Sequence, residues 1–361
     1  MEKTLNNEYK VILTKYEKGY ACLYIHDDKA IEIQLFKSES PYEVGDIYSA
    51  EIKDKVEGLD ASFVSISKDK KGYLKGTDYK NGSLVPVMIK KKESSNKQDV
   101  VTDKLVIPGI YNVVFSDKTI KRTNAKFIDE ESVANEKAYL ENIYKEIADY
   151  SDKRTKGSLL FKNNKIINAV YSNRFDMLDE IITDDKEIYD LFNEFNENYK
   201  KLGINIKANI RLYNDSLVSL LALYSINSKI DDAISKKVWL TSGAYLYIEN
   251  TEAMTVIDVN TGNAPMKKSK EDTIYAVNAE AAKEIVRQLR LRNLSGIIIV
   301  DFINMKNEEN KERLLEYIKE IIKSDNRKAK CHGMTKLGLV ELTRDKQEKS
   351  LLEQLRDIRN D

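Results

Sequence analysis

Two stretches decide how this chain is read: Thr255-Val256-Ile257-Asp258-Val259-Asn260-Thr261-Gly262 and Gly296-Ile297-Ile298-Ile299-Val300-Asp301-Phe302-Ile303-Asn304-Met305. Each is an apolar, β-branched run that ends on an aspartate, the composition of a buried strand. Between them, Ala276, Ala279, Ala282, Ile285, Val286, Leu289 and Leu291 recur at helical spacing from a start at Asp272-Thr273. The spacing predicts a β-helix-β unit with neighbouring parallel strands and both carboxylates at one sheet edge. Carboxylates delivered by strand ends suit a hard cation, and magnesium takes only one or two, leaving its other positions to water and phosphate. The residues alone leave a second reading, in which each aspartate caps a turn or a helix.

Further motifs surround this unit. Leu240-Thr241-Ser242-Gly243-Ala244-Tyr245-Leu246-Tyr247-Ile248 and Thr251-Glu252-Ala253-Met254 precede the first aspartate. Asn278-Ala279-Glu280-Ala281-Ala282 and Arg287-Gln288-Leu289-Arg290-Leu291-Arg292 lie between the two, and Leu337-Gly338-Leu339-Val340-Glu341-Leu342-Thr343-Arg344 follows. In this order and spacing, the run from Leu240 to about Arg344 resembles the catalytic region of the ribonuclease E/G family of RNA endonucleases. The resemblance implies a multidomain α+β and α/β protein. Its parts would be a ribonuclease-H-like subdomain, an inserted OB-type RNA-binding barrel and a deoxyribonuclease-I-like catalytic subdomain. Laid on this chain, the first strands fall at 1–37, the barrel at 38–118 and a reduced 5′-sensor region at 119–171. The rest of the ribonuclease-H-like part falls at 172–243, and the catalytic part at 244–361.

The resemblance also implies one magnesium held by Asp258 and Asp301, with Asn260 orienting the site. The implied reaction is hydrolysis of single-stranded RNA to 5′-phosphate and 3′-hydroxyl ends. It needs no histidine, and the chain has only His26 and His332. The family usually carries an aspartate three residues after the second ligand, where this chain has the neutral Asn304. The expected paired strands Tyr245 to Glu249 and Ala253 to Asp258 enclose the turn Asn250-Thr251-Glu252. Asn293 and Gly296 are expected to end the helix.

Composition sets wider bounds. The chain has 361 residues, 42% hydrophobic and 33% charged, which suits a globular protein of two or three domains. No apolar run approaches the roughly 20 residues of a membrane helix. Met1 to Asn7 carry no signal-peptide core, so a cytoplasmic protein is expected. The two cysteines, Cys22 and Cys331, are too far apart for a Cys-x-x-Cys zinc pair, and Cys331-His332 read as loop residues. Net charge is +0, against the basic excess of many nucleic-acid enzymes, although bases outnumber acids between the two aspartates.

The amino-terminal half reads as strands. Residues 8–36 alternate as a β-meander, and 44–116 read as short strands of a small antiparallel barrel. By resemblance, Phe63 and Tyr73 fall where the family stacks aromatic rings on RNA; alternation alone would equally put Phe63 in the barrel core. Residues 90–104 read as a polar loop, in which Lys97 alone keeps the family's basic register and Val100 replaces its arginine.

Glu131 to Tyr150 has helical periodicity with Ser132 as its expected cap. Beyond it, Phe161 and Lys162 occupy the place of the family's Arg-Thr pair, which holds the 5′-monophosphate of the RNA. Phenylalanine donates no hydrogen bond and lysine lacks the guanidinium fork, so cleavage is expected to be indifferent to the 5′ end. A strand is expected at about Ile206 to Tyr213, and Asp184-Asp185 and Asp231-Asp232 read as helix starts. Lys283, Arg287 and Arg290 either meet phosphates or form a solvated helix face.

By resemblance, Lys336 and Arg344 face the RNA backbone, and a charged helix follows at Asp345 to Asn360. The paired-cysteine zinc linker and small domain of long family members are not expected, nor zinc-linked tetramers, leaving a monomer or dimer. Two rival readings stand beside the endoribonuclease: an RNA-binding protein that kept the fold and lost turnover, and a nuclease acting on DNA.

Overall fold

The computed structural model describes residues 8–359 apart from 38–41, 57, 59, 76–78, 93–97, 151–152, 173–177, 265–269, 326 and 347. The chain divides into two compact units. One holds Met1–Ser38, Leu178–Tyr189 and Asn209–Asp361, and the other Glu39–Met177 and Asp190–Ala208.

The first unit opens with β1 (Tyr9–Tyr16), β2 (Gly19–His26) and β3 (Lys29–Lys37), an antiparallel meander as expected. The second unit then begins with β4 (Ile47–Val56), β5 (Ala61–Ser65), β6 (Lys71–Lys75), β7 (Leu84–Lys91) and β8 (Asp99–Thr102). These five close into a barrel, because β4 pairs with both β5 and β7 while β8 bridges β6 and β7. Alternate residues fill it: Tyr48, Ala50 and Ile52 from β4, Val85, Val87 and Ile89 from β7. The barrel is complete at Thr102. The next strands, β9 (Val106–Pro108), β10 (Asn112–Phe115) and β11 (Thr119–Lys121), make a separate three-stranded sheet rather than further barrel strands. The expected loop at 90–104 is correspondingly shorter, since β7 and β8 enter it from both ends.

Helix α1 (Glu130–Tyr150) packs Leu140 and Ile147 on Ile107 and Val114 of that sheet. Its cap is Asp129, which accepts hydrogen bonds from the Ser132 backbone and hydroxyl; Ser132 lies inside the first turn. Strand β12 (Leu159–Phe161) pairs with β4, and α2 (Lys165–Ser172) follows.

Back in the first unit, β13 (Leu178–Thr183) pairs in parallel with β1. Helix α3 (Lys186–Lys201), which passes into the second unit at Asp190, starts at Asp185, whose carboxylate accepts from the Glu187 and Ile188 amides, as expected. Strand β14 (Asn209–Leu212) completes a mixed sheet in the order β14-β13-β1-β2-β3. Helices α4 (Leu220–Leu223) and α5 (Ile226–Ile234) cover it with Leu220, Ile226 and Ile230. Asp231 and Asp232 fall in the last turn of α5, not at a helix start, because that helix begins earlier, after Ser225 in the left-handed region.

A second sheet in this unit has the order β15-β16-β17-β18-β20-β19. Its strands are β15 (Lys237–Trp239), β16 (Tyr245–Asn250), β17 (Met254–Asn260), β18 (Gly296–Asp301), β19 (Ala329–Met334) and β20 (Val340–Arg344). Helices α6 (Lys270–Leu291) and α7 (Glu308–Ile321) contribute Ala281, Ile285, Leu289, Leu314 and Ile318 to the core formed with its buried face. The buried stripe of α6 runs Ile274, Val277, Asn278, Ala281, Ile285 and Leu289, whereas Ala276 is exposed, one residue out of phase. Cys331 and His332 are strand residues, not loop residues, and Cys331 belongs to this core. Asn293 ends α6 in the left-handed conformation, as expected. The last helix, α8 (Leu351–Arg359), starts later than Asp345, where Ser350 and Glu353 cap it reciprocally.

Candidate active site

Strands β17 and β18 run parallel, and their register places Asp258 directly beside Asp301. Ile257, Val259 and Val300 point into the core, so alternation turns both aspartates to the opposite, exposed face. Neighbouring strands are about 4.8 Å apart, so two carboxylates stand side by side at the carboxyl ends of the strands. Like charges directly opposite each other repel. A cation between them removes that cost.

Asn260 lies on the same face two residues beyond Asp258. Its amide donates to Asp258 Oδ2 at 2.7 Å, which fixes the carboxylate's orientation. The turn after Asn260 is closed by backbone: the Asn263 N–H donates to the Gly243 carbonyl at 3.0 Å. Gly262 has φ +51°, and a Cβ there would collide with the same carbonyl, so the turn requires glycine.

The chain leaving Asp301 is pinned at several points. Phe302 and Met305 are buried anchors. Asn278, fully buried on α6, donates to the Ile303 carbonyl at 2.8 Å and accepts from the Ile303 N–H at 3.1 Å. Glu271 accepts from the amides of Lys306 and Asn307. Asn304, between these anchors, is exposed. The donor set at the strand ends is all oxygen, from two carboxylates and one amide. Among the described residues no group of three or more histidine, cysteine, aspartate or glutamate side chains is placed to hold a metal. A cation bound here would have to draw its remaining ligands from water and substrate, which is how magnesium is usually held.

The other expected contacts separate into two groups. Phe63 and Tyr73 are cross-strand partners on β5 and β6, both half-buried, with ring centroids 6.3 Å apart at 64°. They alternate with the core residues Val64 and Leu74, so Phe63 lies outside the barrel core and the pair forms an aromatic patch on the barrel exterior. Lys336 is exposed in the turn between β19 and β20. Lys97 lies outside the described residues.

The two arginines are placed differently from expectation. Arg344 is sealed: its side chain is 1% exposed and forms a two-pronged pair with Asp325 at 2.8 and 3.0 Å. It also donates to the Leu294 carbonyl at 2.9 Å, so its guanidinium serves the core and not a phosphate. Arg290 is paired with Glu32 at 3.1 Å, its side chain 19% exposed. Arg287 likewise binds Glu284 and the Ala30 carbonyl. These two bases tie α6 to the neighbourhood of β3 rather than presenting a free charged face. Lys162, expected by resemblance at the place of a 5′-phosphate sensor, is 3.1 Å from Asp46, whose carboxylate is fully buried.

Asn278 and Tyr247 were not singled out from the sequence. Asn278 had a signal, a lone amide on the apolar stripe of a helix, where a buried polar group needs partners. Tyr247, on β16, is the cross-strand neighbour of Asp258 on the exposed face. Only the strand register reveals that.

The chain matches the Ribonuclease E/G family over residues 89–347. Ribonuclease G of Salmonella typhimurium is 27% identical over 384 aligned residues, covering 91% of this chain and 78% of that protein. Ribonuclease E of a Nostoc species is 27% identical over 369, covering 89% of this chain and 54% of its own length. Ribonuclease G of Haemophilus influenzae is 32% identical over 233, or 64% of this chain and 47% of that protein.

Proposed function

We propose that this chain, which belongs to the ribonuclease E/G family, is a magnesium-dependent endoribonuclease of single-stranded RNA. The observation that carries the reading is the register that sets Asp258 beside Asp301 on an exposed sheet face. A protein that only bound RNA gains nothing from two adjacent carboxylates facing phosphate, since each repels it. The name ribonuclease, borne by relatives that align over most of this chain, points the same way.

In this reading Asp258 and Asp301 hold the cation, and Asn260 keeps Asp258 aimed at it through the 2.7 Å hydrogen bond. Bound magnesium supplies an acidified water at neutral pH and stabilises charge on the phosphate oxygens. The products are a 5′-phosphate and a 3′-hydroxyl. Asn304 is exposed and near the site, but its amide can neither act as a base nor add charge. The sheet ordered β14-β13-β1-β2-β3 supports the ribonuclease-H-like assignment, the closed five-stranded barrel the OB-type one, and the sheet of β15 to β20 the deoxyribonuclease-I-like one. No helix among the described residues is long and apolar enough to cross a membrane.

The test is cleavage of a labelled single-stranded RNA in magnesium and in EDTA, with wild type, Asp258→Asn and Asp301→Asn. Cutting in magnesium that either substitution abolishes is expected. The pairing of Lys162 with buried Asp46 leaves little to grip a terminal phosphate, so rates on 5′-monophosphate and 5′-hydroxyl RNA should match. RNA binding without cutting in any divalent metal would overturn the enzyme reading and make Asn304→Asp the first variant to try.

A further inference from the structure

The exposed face that carries the two carboxylates is aromatic on one side of them. Strand register aligns Lys237, Tyr247, Asp258 and Asp301 in one row across four strands, and Trp239, Tyr245 and Asn260 in the next. Tyr247 is therefore one strand from Asp258, and Trp239 two strands from Asn260, about 5 and 10 Å in the hydrogen-bonding direction. Trp239 is 58% exposed and Tyr247 39%. A tryptophan left this open in a folded chain is unusual, because its ring carries the largest burial gain of any side chain.

The rings are grouped. Trp239 and Tyr245 meet edge to face, centroids 5.3 Å apart. The Lys237 ammonium is 4.0 Å from the Trp239 centroid and 3.9 Å from that of Tyr245. Among the described residues no carboxylate pairs with Lys237, whose exposed ammonium lies against both ring faces. Lys236, bound to Glu249 at 2.7 Å, has its ammonium 5.9 Å from the Tyr247 ring. Toward the other end of β17 and β18 the exposed residues are the aliphatic Met254, Val256 and Ile297. Flat rings with an adjoining ammonium thus occur beside the carboxylates. That combination suits a single-stranded nucleic acid, with bases on the rings and phosphate at the lysine.

Resting on the endoribonuclease reading above, we propose that Trp239, Tyr245 and Tyr247, with Lys237, form a stacking platform for the nucleotides that flank the scissile phosphate. Stacking is indifferent to base identity, so the platform supplies grip and strand direction more than sequence preference.

Trp239 is the only tryptophan in the chain, so intrinsic emission reports on this position alone. The experiment titrates Asp301→Asn protein, in magnesium, with a fluorescein-labelled single-stranded RNA, following anisotropy and tryptophan emission together. Emission should quench with the same midpoint as the anisotropy rise. Trp239→Ala and Tyr247→Ala, in the same background, should each weaken binding about five- to hundredfold, while Trp239→Phe stays near its parent. Circular dichroism checks that the exposed substitutions leave the fold intact. Binding with unchanged emission, or with Trp239→Ala equal to its parent, would overturn the platform and leave the nuclease reading standing. No anisotropy change at all would overturn both. Emission that shifts with protein concentration in the absence of RNA would assign these rings to contact with a second copy of the chain, and would also reject the proposal.

Discussion

One buried side chain, Asn278, satisfies both backbone polar groups of Ile303, donating to its carbonyl and accepting from its N–H. Ile303 is two residues past Asp301, so helix α6 sets the direction in which the chain leaves the second carboxylate. Asn278→Ala removes both bonds and leaves two partly buried backbone groups without their side-chain partner. At about 0.5–1.5 kcal/mol for each hydrogen bond lost from a partly buried group, the variant should lose roughly 1–3 kcal/mol in urea unfolding. Its cleavage rate should fall as well, measured where it is still folded. Unchanged stability would mean that the clamp is not made in solution.

Asn260 donates to Asp258, and in the proposed reading it acts by positioning that carboxylate. Asn260→Ala should cut the cleavage rate about 10- to 100-fold, the range for partners that orient a metal ligand. The concentration of magnesium giving half-maximal rate should rise in parallel. A rate loss with that concentration unmoved would point to a role other than holding the carboxylate.

Two adjacent carboxylates make the apo site self-repelling. In EDTA, Asp258→Asn should therefore melt at or above the wild-type temperature. Adding magnesium at ten times its dissociation constant should stabilise wild type by about 1.4 kcal/mol and leave the variant unmoved. Differential scanning fluorimetry reads both, and an equal magnesium shift in the variant would place the cation elsewhere.

Arg344 and Asp325 form a buried, two-pronged ion pair. Arg344→Ala leaves the buried Asp325 carboxylate without its ion-pair partner, held only by the Arg327 N–H at 2.8 Å and the nearby Arg327 charge, and should cost about 3–5 kcal/mol. Arg344→Lys should fall between, since an ammonium cannot reproduce the fork. Chemical denaturation measures this. A variant of wild-type stability with weakened RNA affinity would return Arg344 to the RNA-binding surface.

Asp185 should give the stability curve an acid limb. Burial pushes its carboxyl up, but hydrogen bonds from Lys15, Tyr20 and the Ile188 and Glu187 amides outweigh this and hold it below the usual aspartate range. A carboxyl depressed in the folded state takes up its proton more readily when unfolded. Its stabilisation is therefore full above the ordinary aspartate value of about 3.9 and is lost as pH falls through the lower folded value. Asp185→Asn should lower stability at neutral pH and flatten that acid limb, as read from denaturant midpoints between neutral and acid pH.

What the sequence determined by itself was whatever local pattern encodes. Alternation and β-branching gave the strands that deliver Asp258 and Asp301, and the helical stripe between them required a crossover that makes such strands parallel. Motif order pointed to the family, and Asn304, Phe161 and Lys162 were visible as departures from it. The tertiary structure decided what depends on partners distant in sequence. A basic residue reads the same in the sequence whether it meets a phosphate or a carboxylate, so Arg290 and Arg344 were legible as charges and not as ion-pair partners of Glu32 and Asp325. Phe63 sat on an alternating strand, yet which of its two faces closes the barrel is fixed only by strand pairing. The neighbours of Asp258 follow from the same cause. Periodicity gives each strand its two faces, but only cross-strand register sets Tyr247 beside Asp258 and brings Trp239 within two strands of the site.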